Sequence, residues 1–232
     1  NQWGFARLSV LAVSNRFKIQ DLEREINVFE KQFFGAYNWA RKRPPFSAYL
    51  DKATQLSRGN YVFHVSQYYI NQAGGGGANQ ARLSFVEAAS RVPNVSFEGG
   101  LVVPQAAQNC RDLHKFQTTS ISSATYLKKT KESAVVFNTP AAWSCHGWKL
   151  GEYFALGKAI ISMPFINNLL PGLVHGENIH FVGSDDELSD EISQILSDRE
   201  YQLHLEQGAR AYFSEQLHPK EVARELLARA MK

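Results

Sequence analysis

Cysteine is nearly missing, with Cys110 and Cys145 as the two examples in 232 residues. Two thiols cannot frame a disulfide scaffold and these lack metal-ligand spacing, so a reducing compartment is expected. Long apolar runs are scarce as well. No stretch approaches the roughly 20 apolar residues that cross a bilayer, and no charged segment followed by an apolar one opens the chain, so the expectation is a soluble, cytoplasmic protein. An excess of one charge is also wanting: 25 Lys and Arg against 22 Asp and Glu leave +3. That is too little to imply nucleic acid or another strong polyanion as partner. A paired-aspartate metal motif is not evident either, because Asp185-Asp186 stands at a helix start where capping accounts for it. Neither a metal nor a resident cofactor is expected. The chain begins at Asn1 without Met, which suggests a piece of something longer.

The 44% hydrophobic content suffices for one large domain, or for one domain with an appendage. Residues 1–58 are read as an N-terminal extension, linker or remnant of a preceding domain. Within them 8–13 has strand composition and 21–34 helical spacing, with Asp21 as N-cap. Arg41-Lys42-Arg43-Pro44-Pro45 marks a boundary, since prolines halt regular structure and three adjacent cations favour solvent. A solvated linker is the reading preferred there; peripheral contact with an anionic membrane surface or a phosphate is the competing one.

From Asn60 strands and helices alternate. A strand at 61–66 is followed by a loop holding Gly74 to Gly77 and a helix at 79–91. The glycines have no G-x-G-x-x-G or Walker spacing and read as a mobile loop. Arg82, near the start of that helix, can reach a phosphate with two N–H groups, or simply face water. A strand at 95–98 is closed by Gly99-Gly100, with Glu98 as a solvated acid at its end. Then come a helix at 120–131, whose last-turn lysines suit the dipole, and a strand at 133–138. The strand feeds a loop, 139–146, of the kind that carries ligands in open α/β sheets. Later elements are a strand at 179–182, a Ser184/Glu187 capping box before a helix, and helices at 199–213 and 219–231. In the last of these, Ala223, Leu226, Leu227 and Ala230 suit packing against the sheet. The fold class is α/β, a Rossmann-like and mostly parallel sheet with helices on both faces, over residues 59–232.

The densest signal runs from Ser144 to Pro164, S-C-H-G-W-K-L-G-E-Y-F-A-L-G-K-A-I-I-S-M-P. A Gly147 turn opens a helix at 148–156, Gly157 stops it, and 158–162 is a short buried strand. The first-turn amides lack intrahelical partners and the dipole adds positive potential, so this end favours an anion such as a diphosphate. Glu152, about one turn in, can accept hydrogen bonds from sugar hydroxyls. His146 beside the turn can touch a phosphate or a sugar oxygen, or be an ordinary loop histidine. Lys149 can offset charge on a departing diphosphate or face water.

Residues 147–161 resemble the donor-binding motif of group 1 glycosyltransferases of the GT-B fold. The shared features are Gly147, the spacing to Glu152, and Ala155-Leu156-Gly157-Lys158-Ala159-Ile160. The resemblance implies that this chain is the donor-binding half of a GT-B architecture and transfers sugar from a nucleotide-sugar to a glycan or lipid-linked acceptor, as in polysaccharide or glycolipid assembly. By that resemblance Glu152 holds the ribose, the amides after Gly147, at Trp148 and Leu150, face the phosphates, and no metal is needed. The family often carries a second glutamate ahead of this one, and Ser144 stands there. A non-catalytic nucleotide or nucleotide-sugar binding module is the alternative.

Overall fold

A computed structural model of the chain describes residues 43–50, 59–70, 72–107, 111–139, 141, 145–166 and 172–231. The expected strand at 8–13 and helix at 21–34 lie outside these residues. The chain divides into two compact units, Asn1–Pro44 and Pro45–Lys232, and every element below belongs to the second.

In chain order the elements are α1 (Phe46–Leu50), β1 (Tyr61–Gln67), α2 (Gln72–Arg91), β2 (Ser96–Val102), α3 (Ser123–Glu132), β3 (Val135–Asn138) and α4 (Trp148–Leu156). They continue with β4 (Ala159–Ser162), β5 (His180–Phe181), α5 (Leu188–Ser197), α6 (Arg199–Tyr212) and α7 (Pro219–Ala230). All pairings are parallel: β1 with β2 from Tyr61 opposite Ser96, β3 with β4 from Val135 opposite Ala159, and β4 with β5 from Ile161 opposite His180. β1 adjoins β3 through Ala134 N–H donating to the Tyr61 carbonyl at 2.7 Å and Phe63 N–H donating to Ser133 Oγ at 2.9 Å. The chain therefore leaves β1 for β2 on one side and returns to β3 on the other. That reversal opens a crevice at the strands' C-terminal ends, where open α/β sheets hold ligands.

Side-chain parity puts helices on both faces. Val135, Phe137, Ala159 and Ile161 meet Ala81, Phe85 and Ala89 of α2 and Leu188, Ile192 and Ile195 of α5. Val136 and Ile160 turn the other way, to Leu150, Tyr153 and Phe154 of α4 and Ala209 and Tyr212 of α6. The Phe85 and Phe137 rings stack at 4.3 Å, worth about 1 kcal/mol beyond their burial. This is a Rossmann-like α/β fold in which the single expected sheet is two adjoining parallel ones, β1-β2 and β3-β4-β5.

Four sequence expectations are corrected. Gly74 to Gly77 lie inside α2 rather than in a loop. The helix is held a turn further on by buried Asn79, whose amide bonds both N–H and C=O of Tyr69 at 2.9 and 2.7 Å, and cooperative propagation carries it back across the glycines. Gly99-Gly100 do not close β2 but sit within it. A Cβ on Gly99 would stand 1.9 Å from the His64 carbonyl oxygen, and one on Gly100 2.4 Å from that of Phe116, so only glycine lets these backbones meet. Ser184 makes no side-chain cap bond; Glu187 reaches back to the Gly183 N–H at 3.1 Å instead. Finally, Ala223, Leu226, Leu227 and Ala230 do not pack on the sheet, for all four are exposed, Leu226 and Leu227 at 63%. A π-turn over Phe213–Leu217 buries Phe213 and redirects the chain before α7 begins.

Glu98 is exposed as expected but stands within β2 rather than at its end, pairing Lys129 at 2.6 Å and accepting from the Tyr61 hydroxyl at 2.8 Å. Among the described residues no helix is long and apolar enough to cross a membrane.

Candidate functional site

The crevice between β1 and β3 is a real cavity of about 160 Å³. β1 contributes His64, Ser66 and Gln67, β3 and its exit Phe137, Asn138 and Thr139, α2 contributes Arg82, and the start of α4 contributes Gly147, Trp148 and Lys149, with Tyr69 and Ala141 completing the wall. Two cations face it and none of these residues is an acid.

Arg82 lies mid-helix, since α2 begins at Gln72, yet its guanidinium reaches the crevice and the residue is only 7% exposed. Nη1 donates to the Gln67 carbonyl at 2.7 Å, Nε to Thr139 Oγ1 at 3.2 Å and Nη2 to the Tyr69 hydroxyl at 3.3 Å. The Tyr69 ring lies 4.5 Å beneath Cζ, a cation–π contact. Every one of these partners is neutral. The guanidinium is thus oriented without its charge being cancelled, the condition for attracting an anion.

Lys149 approaches from the opposite wall. Its Nζ donates to the Val65 carbonyl at 2.5 Å and lies 5.1 Å from the Tyr126 ring centre. Burial, reinforced by the Arg82 charge and opposed by Glu152, pulls its pKa down to about 7. Around neutrality the amine therefore sits between its charged and neutral forms. Beneath it the Tyr126 and Tyr153 hydroxyls bond each other at 2.9 Å, and burial raises both phenols.

The helix start is formed by Gly147, extended at φ −73° and without a side-chain cap bond. Leu150 N–H already donates to the Gly147 carbonyl at 3.1 Å and the Leu150 side chain is buried in the core. The amides of Trp148 and Lys149, which an α-helix leaves without intrahelical acceptors, are the ones at the mouth. The Trp148 side chain forms the rim, 56% exposed. At the other end, Gly157 takes the left-handed conformation at φ +59° and ends α4 with two return bonds, Gly157 N–H to Phe154 and Lys158 N–H to Tyr153.

Glu152 is half-buried one turn inside α4 and outside the cavity wall; its Oε1 accepts a hydrogen bond from the Tyr49 hydroxyl at 2.9 Å. His146 is not part of the wall either. Its ring packs edge-on to Phe165 at 4.9 Å, and both its nitrogens are buried with no hydrogen-bond partner among the described residues. Ser144 lies outside the described residues.

Sequence reasoning passed over His64, Tyr69 and Thr139. His64 sits 3% exposed beside the stacked Phe85 and Phe137 rings, its plane inclined to both, with its Nε2 paired with Ser66 Oγ at 2.5 Å. Burial first, then Lys149 and Arg82, push its pKa well below the usual range and keep it neutral. The alternation of β1 offered a faint signal, since His64 and Ser66 are polar on a face whose other member, Val62, is core.

The fold has known counterparts. The crystal structure of TarM matches with a TM-score of 0.55 at 12% identity, over 75% of this chain and 35% of that one. The chain has the fold of one half of a GT-B glycosyltransferase. A point mutant of S. aureus TarM in complex with fondaparinux, alpha-GlcNAc-glycerol and UDP matches similarly, at TM-score 0.55 and 10% identity over 75% of this chain and 36% of that one. The C-terminal domain of the group 1 glycosyl transferase LpcC of Francisella tularensis aligns over 73% of this chain and 91% of that domain, with 12% identity and a TM-score of 0.47. This chain spans about a third of the length of TarM. No family model and no curated protein matches the sequence.

Proposed function

We propose that this GT-B half binds the diphosphate of a nucleotide-sugar in the crevice between β1 and β3, as the donor side of sugar transfer to a glycan or lipid-linked acceptor. The observation that carries the reading is the acid-free crevice in which Arg82 is oriented wholly by neutral partners, with the start of α4 at its mouth. An anion there meets a guanidinium, the first-turn amides of α4 and the Lys149 ammonium. Glu152, one turn along, accepts from the ribose, and the Trp148 ring borders the path between diphosphate and nucleoside. As the sugar leaves, charge grows on the diphosphate, and Lys149 and Arg82 stabilise it in place. Among the described residues no group of three His, Cys, Asp or Glu side chains is disposed to hold a metal ion. His146, packed on Phe165, has no part in it.

The test is a calorimetric titration with UDP, other nucleoside diphosphates and pyrophosphate. Arg82→Ala should weaken all of them by at least about tenfold, as expected when a charge-assisted contact is lost. Equal affinity in wild type and variant, or no affinity for any of these ligands, would refute the reading. A binding module without turnover is the second reading, favoured by Ser144 standing where the resembled motif often has a glutamate. Donor hydrolysis or transfer by a protein that binds donor decides between them.

A further inference from the structure

Helix α1 has five residues, too few to stand alone in water. It is nevertheless anchored. Tyr49 and Leu50 pack against the core cluster of Leu150, Tyr153 and Phe154, and the Phe46 ring meets Phe213 at 6.2 Å and His218 at 5.6 Å. The anchoring brings the Tyr49 hydroxyl to Glu152 Oε1, 2.9 Å away across 103 residues of sequence. The other phenols that feel this carboxylate, Tyr126 and Tyr153, direct their hydroxyls at each other.

On the strength of the donor-site reading above, we propose that Tyr49 is a positioning residue for Glu152, so that the nucleoside end of the site is completed by a helix lying ahead of the first strand. A carboxylate offers about four acceptor positions, and the phenol takes one of them. Pinning Oε1 fixes the plane of the group, and a vicinal diol needs two oxygens in a set orientation. A hydroxyl that holds the glutamate before the ligand arrives lowers the rotamer freedom lost on binding, and the Tyr49 contact contributes in this way. Tyr49 thus acts on ligands that carry a diol and is silent toward those that do not.

Affinities for UDP, 2′,3′-dideoxyuridine diphosphate and pyrophosphate test this in wild type, Tyr49→Phe, Glu152→Gln and the double variant. The phenylalanine keeps the ring packing and removes only the hydroxyl. The expected result is about fivefold weaker UDP binding in Tyr49→Phe, unchanged dideoxy and pyrophosphate binding, and no further loss on adding Tyr49→Phe to Glu152→Gln. Unchanged or tighter UDP binding in Tyr49→Phe, an equal loss for all three ligands, or additive losses in the double variant would overturn the proposal while leaving the diphosphate crevice standing. Wild-type protein that binds pyrophosphate no better than buffer would bring down the donor-site reading itself.

Discussion

Raising the pH through neutrality should weaken donor binding, because Lys149 loses its proton there. The free protein holds this amine at a pKa of about 7, lowered by burial and by Arg82. A bound diphosphate favours the charged form, so the pKa rises in the complex and binding takes up a proton wherever the free amine is neutral. With the free value near 7 and the amine held fully charged in the complex through pH 8, the apparent dissociation constant grows by a factor of one plus the ratio of neutral to charged amine in the free protein. That factor is about 1.1 at pH 6 and about 11 at pH 8, roughly a tenfold loss of affinity. Other groups near Lys149 do not imitate the effect in this window. His64 is held neutral, and Tyr126 and Tyr153 titrate far higher. The assay is calorimetry with an intact nucleotide-sugar, whose diphosphate diester keeps a constant charge from pH 6 to 8, in buffers of different ionisation enthalpy. Lys149→Met should flatten the profile and abolish proton uptake. A wild-type profile already flat, or a slope surviving in Lys149→Met, refutes the reasoning.

Lys158 gives a stability prediction. It is 2% exposed, donates to the Lys131 carbonyl at the end of α3 at 3.1 Å, and burial lowers its pKa to about 8. The unfolded chain holds the proton up to about 10.5, so its stability contribution is present above that value and lost as pH falls through about 8. Urea unfolding at pH 9.5 against pH 7 should show a gain of about 2 kcal/mol from this group that Lys158→Met lacks. At Gly99, φ is +142° and a Cβ would overlap the His64 carbonyl, so Gly99→Ala should lower thermal stability by about 3 kcal/mol or more. Gly151→Ala, with open space around its Cβ position, should stabilise or leave unchanged. Trp148→Ala should weaken UDP by several-fold and pyrophosphate hardly at all, and fluorescence quenching on UDP addition should diminish in the same variant.

Helix α4 was legible to the residue because both of its ends are written in the sequence: Gly147 precedes Trp148, and Gly157 takes the left-handed turn that stops it. The strands β3 and β4 themselves were legible as short apolar runs bounded by turns. Glycine misled in both directions elsewhere. The Gly74–Gly77 run reads locally as a loop, yet Asn79 ties α2 to the exit of β1 and the helix extends over it. Gly99 and Gly100 read as an ending, but they are where two backbones approach closely, which is a property of the sheet and not of the segment. The apolar spacing of α7 gave a buried stripe because periodicity cannot tell which way a preceding turn will send a helix. At the site, Lys149 was legible as a cation near a helix start, whereas Arg82 was expected near one and lies mid-helix, because α2 begins ten residues earlier, at Gln72. Their neutral partners, the Gln67 and Val65 carbonyls and Thr139, come from other strands and leave no local trace. Tyr49 meets Glu152 from far along the chain and was legible in no window.

The central claim concerns where the diphosphate lies. A crystal structure of the protein with a nucleoside diphosphate tests it most directly: the account predicts phosphate oxygens within hydrogen-bond distance of the Arg82 guanidinium and the Trp148 and Lys149 amides. Density for the diphosphate elsewhere on the molecule, with the crevice between β1 and β3 empty, would contradict it.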